Sequence, residues 1–133
     1  MQRKALQAVC ALMGVIAIGR FALPGLIWGA EWIDAGAAGP FADSEVRFFA
    51  AILLAVGALF FWIVPRIEQH VTLLRILMAG MFLGGLARLL SMALLGTPAR
   101  PALVALVIEL GVPPAALLLQ RGLRTGANLA RLH

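Results

Sequence analysis

Four apolar runs, 5–28, 45–64, 71–95 and 102–119, decide what this chain can fold into, because each is long enough to cross a bilayer. A helix rises about 1.5 Å per residue, so roughly 20 apolar residues span the hydrocarbon core. The four runs nearly exhaust the 133 residues and leave no room for a large soluble domain. With 62% hydrophobic and 13% charged residues, the chain exceeds the apolar content of a soluble protein of this size. The expected fold is a single all-α domain over 1–133, an integral membrane four-helix bundle.

The first run follows Gln2, Arg3 and Lys4 and is interrupted by Arg20 and then Pro24, so it reads as an uncleaved membrane helix and not as a signal peptide. The next stretch, GAEWIDAGAAGPFADS, carries Glu31, Asp34 and Asp43 but no basic residue. At its end Asp43 or Ser44 is placed to cap the second helix, with Glu45 favoured by the helix dipole. Pro65 and Arg66 stop that helix, and Gly96-Thr97-Pro98 closes the third. The tail 120–133 carries Arg121, Arg124 and Arg131 beside Leu123, Leu129 and Leu132, and serves as a topology anchor or as a short helix on anionic lipid.

The net charge of +5 sits at the ends of the apolar runs, which fits membrane topology and not nucleic acid. Arg3 and Lys4, then Arg66 and Arg75, then the three tail arginines belong on the cytoplasmic side by the positive-inside rule, so both termini are expected inside. Trp28 and Trp32 then belong to the outer interfacial belt and Trp62 to the inner one.

Charges inside the spans are the functional candidates, because an ionised group in hydrocarbon costs several kcal/mol unless it is paired or lines a cavity. Arg20 lies about eight residues, roughly 12 Å, below the outer end of the first helix. Arg88 and Glu109 lie at a similar depth on the third and fourth, and Arg47 reaches down from the top of the second. One reading makes Glu109 the partner of Arg88 or Arg20 and the pair a clip between helices. The other notes that Arg20, Arg47 and Arg88 outnumber the one deep carboxylate, which, unless Asp43 and Glu45 make up the balance from above, leaves positive charge for a phosphate or carboxylate headgroup. Ser91 shares a helix face with Arg88 and completes the expected ligand set of Arg20, Arg47, Arg88, Ser91 and Glu109.

Pro113 and Pro114 withdraw the amides that would serve the Glu109 and Leu110 carbonyls, so a bend is expected beside the carboxylate. Gly25-x-x-x-Gly29, Ala51-x-x-x-Ala55 and Gly80-x-x-x-Gly84 mark close helix contacts. Gly84 shares a face with Arg88, which points either to a central third helix or to a homodimer through the same face.

No phosphate loop, GxSxG, HExxH or CxxC occurs, Ser44 and Ser91 are the only serines, and tyrosine is missing. No catalytic set and no cofactor are therefore expected. Cys10 is the single cysteine, and His70 and His133 lack metal-ligand spacing, so no metal site is expected either.

At Arg47, at GGLARLLS around Arg88, at Gly96-Thr97-Pro98 and at Glu109-Leu110, the chain resembles an uncharacterised bacterial family of four-span membrane proteins, domain of unknown function 4345. In that pattern an Arg opens helix two, Arg-x-x-Ser followed by Gly-x-Pro ends helix three, and a Glu sits early in helix four. Ala87 stands where a Gly commonly precedes the Arg. The resemblance implies a multi-pass protein of the bacterial inner membrane and supplies no activity. The leading expectation is a non-enzymatic protein holding an anionic amphiphile, a phospholipid or fatty acid, in an outer-leaflet polar pocket. The rivals are a small-molecule or proton-coupled transporter and the accessory subunit of a lipid-modifying enzyme, with membrane lipid, a second copy or another membrane protein as partner.

Overall fold

A computed structural model describes residues 1–33, 39–98 and 100–129, without the side chains of Pro101 and 122–129. Asp34, Arg131, Leu132, His133 and the side chains of Leu123, Arg124 and Leu129 lie outside the described residues. The described chain is all-helical. Four helical stretches are long and apolar enough to cross a membrane: Gln2–Trp32, Pro40–Arg66, Val71–Leu95 and Ala102–Arg121. Large apolar side chains such as Leu12, Ile27, Phe48, Phe61, Leu83, Leu90, Leu94 and Val107 are exposed along them, as a hydrocarbon solvent allows and water does not.

The first stretch changes its winding three times. Helix α1, Gln2–Val15, runs into a π-helical segment, Ile16–Ala22, then α2, Leu23–Trp28, and a 3-10 turn, Gly29–Trp32. The wide turns end with Leu23 donating to the Ile18 carbonyl, one residue before Pro24, which has no N–H for the Arg20 carbonyl. Local π winding is a known way for a membrane helix to accommodate a proline. Gly29 then takes φ 58°, a value that favours glycine, and reverses the chain so that Trp32 folds back onto Phe21 with ring centroids 6.1 Å apart.

Helix α3, Pro40–Ile63, begins five residues before the expected start. Pro40 at the first helical position is pre-set for the helix, and Gly39 precedes it as the cap residue without a side-chain bond. Asp43 and Ser44 are consequently inside the helix and do not cap it. A short turn, Val64–Arg66, ends this stretch; α4 covers Val71–Leu95, where the third span is expected. Gly96, at φ 93°, closes α4 with its amide on the Met92 carbonyl. Helix α5 runs over Arg100–Leu129, about ten residues past the expected end of the fourth span, with Pro113 and Pro114 inside it.

The chain divides into two compact units, Met1–Val9 with Ile67–His133, and Cys10–Arg66. In the second unit the first helical stretch and α3 form an antiparallel hairpin through small residues. A Cβ on Gly25 would stand 2.7 Å from the Ala50 Cβ, and one on Gly14 would stand 3.0 Å from the Phe61 ring. Gly57 faces Ile18 still more closely. The contact side of α3 is Ala50, Gly57 and Phe60, while Ala51 and Ala55 are exposed.

In the first unit α4 and α5 pair along alternating four- and three-residue steps. Leu74, Met78, Met81, Gly85, Arg88 and Met92 are the covered or half-covered residues of α4, and Leu106, Glu109, Pro113, Ala116 and Gln120 those of α5. The glycine at close approach is Gly85, where a Cβ would lie 2.7 Å from Leu110 and 3.1 Å from the Glu109 Cβ. Gly80 and Gly84 face open space. Gly85→Val should therefore cost about 1–3 kcal/mol by overpacking, and Gly84→Val at most about 0.5 kcal/mol. Equilibrium unfolding in mixed detergent micelles measures both, and equal losses would contradict this register.

Candidate functional site

The expected ligand residues fall into two groups, one in each unit. In the first unit α4 and α5 bring Arg88 and Glu109 together. The Arg88 Nε donates to both carboxylate oxygens, 2.8 Å to Oε2 and 3.0 Å to Oε1. The pair is partly open, with Arg88 41% and Glu109 20% exposed in their side chains. Arg88 lies about seven residues inside the Gly96 end of α4, roughly 10 Å along the axis. Only Nε is used, so the four N–H groups on Nη1 and Nη2 have no partner among the described residues. Gly85 makes the contact possible, because the missing side chain lets α5 approach one turn before Arg88. Ser91 is exposed and makes no hydrogen bond to either member of the pair.

Glu109 also sits one turn before Pro113, so its backbone carbonyl has no i+4 amide to accept from. Helix α5 nevertheless continues through both prolines. The carboxylate and this carbonyl thus occupy one stretch of helix that is richer in acceptors than in donors.

In the second unit Arg47 does different work. Its Nε donates to Asp43 Oδ2 at 2.8 Å and its Nη2 to Oδ1 at 3.4 Å, while Nη1 donates to the Leu26 carbonyl. The same Asp43 Oδ1 accepts the Ala30 amide at 3.1 Å. Leu26 and Ala30 are four residues apart, so in a continuous α-helix they would bond to one another. Reversal at Gly29 separates them. The Asp43–Arg47 pair, itself spaced i, i+4 on α3, takes up both orphaned groups and splices the broken helix end to its neighbour. A Cβ on Gly29 would overlap the Asp43 carboxylate.

Arg20, on the π-helical segment, has its guanidinium over the Trp32 ring at 5.0 Å and near the Phe21 ring at 5.8 Å from their centroids. No carboxylate pairs with it among the described residues. Aromatic faces attract a cation without neutralising it.

Residues 5–120 match the family described as Domain of unknown function (DUF4345). The chain belongs to that family. No curated protein and no solved structure matches it. The DUF4345 match begins at residue 5 and so takes in the first helical stretch as well as the other three. Within this DUF4345 protein, the residues behind the resemblance have distinct contacts: Arg47 secures the first helix end, Arg88 and Glu109 join α4 to α5, and Gly96 turns the chain between those two.

Two polar residues make contacts that the sequence reading did not assign to them, the Arg47 and Ala30 bonds of Asp43 and the Arg75 bond of Gln120. Asp43 is masked by its place near a helix start, where a cap is the ordinary reading, although the Asp-x-x-x-Arg spacing to Arg47 signals an ion pair. Gln120 is masked by its place at the end of an apolar run. It is 3% exposed and continues the stripe 109, 113, 116, 120 on α5.

If Asp43 and Arg47 act as one splice, Asp43→Ala and Arg47→Ala will each lower the thermal unfolding temperature, and the double variant will be no worse than the poorer single one. Circular dichroism melts in detergent supply the comparison; additive losses would mean that the two side chains act separately.

Proposed function

We propose that this protein is a non-enzymatic four-span membrane protein that holds an anionic amphiphile, a phospholipid or a fatty acid, by its headgroup at Arg88. The observation that carries the reading is the half-used guanidinium: Glu109 takes Nε, and the terminal nitrogens of a 41% exposed side chain have no partner among the described residues. Two parallel N–H groups suit a phosphate or carboxylate oxygen pair. Glu109 sets the plane of the guanidinium and keeps the pair neutral until the headgroup arrives. Exposed Leu86, Leu89, Val104 and Val107 on the same two helices offer an apolar track for the acyl chain. Ser91, one turn along α4, supplies a further hydroxyl. Arg20 and Arg47 are left out of this reading, because both belong to the other unit and a splice takes up the donors of Arg47.

Native mass spectrometry of gently extracted protein tests the proposal. Retained phospholipid or fatty acid is expected on the parent protein and on Glu109→Gln, whose amide oxygen still accepts from Nε. It should fall at least about tenfold on Arg88→Ala, as loss of a charge-assisted pair of about 1.5–3 kcal/mol implies. No retained lipid, or equal retention on Arg88→Ala, would refute it. Proton-coupled uptake in reconstituted vesicles that Glu109→Gln abolishes would refute it in favour of transport.

The same proposal places the protein in the bacterial inner membrane with both termini in the cytoplasm and the amphiphile in the outer leaflet, on the strength of the basic residues flanking the spans. A green fluorescent protein fused after His133 should fluoresce, and alkaline phosphatase inserted at Gly36 should be active. The opposite pair of results would invert the topology.

A further inference from the structure

We infer that Arg75, held by the buried amide of Gln120, forms a second anion site, selective for a lipid phosphate headgroup, at the other end of the α4–α5 pair from Arg88. Arg75 Nε donates to Gln120 Oε1 at 2.9 Å, and Gln120 Nε2 donates to the Val71 carbonyl at 3.4 Å. Gln120 is 3% exposed, whereas Arg75 is exposed. A buried amide anchored at both ends thus holds an open guanidinium by one nitrogen and leaves Nη1 and Nη2 without a partner among the described residues.

Charge distinguishes this site from the Arg88 pair. The unit that contains both has two carboxylates in its sequence, Glu68 and Glu109, against eight Lys and Arg residues. Glu68 pairs with Arg3 at 3.4 Å, and Glu109 pairs with Arg88. The partner of Arg75 is a neutral amide, which orients the guanidinium and leaves its charge uncancelled. Arg75 is only four residues into α4, roughly 6 Å from the helix start, a depth at which a long side chain reaches the headgroup layer. It stands 13 positions, roughly 20 Å, from Arg88, so the two guanidinium groups lie towards opposite faces of the bilayer. A fixed, uncompensated fork at headgroup depth selects an anionic phosphate over a zwitterionic one, whose own ammonium competes for the phosphate.

The test uses the full chain, delipidated in neutral detergent and titrated separately with dioctanoyl phosphatidylglycerol, dioctanoyl phosphatidylcholine and sodium phosphate, with bound ligand read by native mass spectrometry. The parent protein should prefer phosphatidylglycerol over phosphatidylcholine by about fivefold, the factor that about 1 kcal/mol per basic residue at an anionic surface implies. Arg75→Gln should remove the preference. Gln120→Glu should also remove it, because the new carboxylate still accepts from Nε yet cancels the charge, while giving up only the long 3.4 Å bond to the Val71 carbonyl. A Gln120→Glu protein that keeps its melting temperature and loses the preference separates anion binding from a mere helix clip. Arg88→Gln should leave the preference intact, which keeps this result independent of the Arg88 reading. Competition by sodium phosphate would overturn the lipid assignment in favour of a soluble phosphate species; its absence supports the lipid headgroup. An undiminished preference in both Arg75→Gln and Gln120→Glu overturns the inference.

Discussion

Hydrocarbon offers no hydrogen bonds, so a backbone group released from regular helix, or a charge carried below the headgroups, is costly there until the protein supplies it with a partner. The local features of this chain follow from that constraint. At Gly29 the helix breaks, and Asp43 and Arg47 receive the two groups that the break sets free. Before Pro24 the helix widens into π turns. Two turns before the end of α4, Arg88 meets Glu109 through a gap that Gly85 leaves open. Among the described residues no buried side-chain nitrogen or oxygen is left without a partner.

Satisfying a guanidinium is not the same as using it up. Arg47 spends three nitrogens on Asp43 and Leu26, which makes it a structural element. Arg75 and Arg88 each give one nitrogen to the facing helix and keep two. Their holders differ in a way that matters chemically: Glu109 cancels the charge it orients, and Gln120 orients without cancelling. Interhelical polar contacts of this kind are worth about 0.6 kcal/mol on average in a bilayer, and at most about 1.7 kcal/mol. Small-residue packing at Gly25, Gly57 and Gly85 therefore carries most of the helix association, and the polar contacts fix register and present donors.

Much of this was legible in the residues. Four spans, the pairing of Arg88 with Glu109 and the Gly96 turn follow from run length, hydropathy, charge and turn chemistry. The contact glycine was not: a four-residue repeat selects Gly80 and Gly84, whereas helices pairing in alternating steps of four and three use Gly85, one residue and about 100° away. Ala51 and Ala55 mislead for the same reason beside Ala50. The start of α3 was hidden because Gly39-Pro40 reads as a loop until the proline is seen as the first helical residue. Shared depth, which grouped Arg47 with Arg88, is a one-dimensional quantity and says nothing of which carbonyls a side chain will meet. Only three dimensions reveal that Leu26 and Ala30 had been parted.

The Arg88–Glu109 contact joins the two helices of its unit and aims the donors on which the functional reading rests, so its energy is the quantity to measure. A double-mutant cycle of Arg88→Gln and Glu109→Gln, followed by equilibrium unfolding in mixed micelles, isolates it. The geometry predicts a favourable coupling of about 1 kcal/mol, within the range of interhelical polar contacts in membranes. A coupling indistinguishable from zero would mean that the two side chains do not hold one another, and the oriented guanidinium would be lost with them.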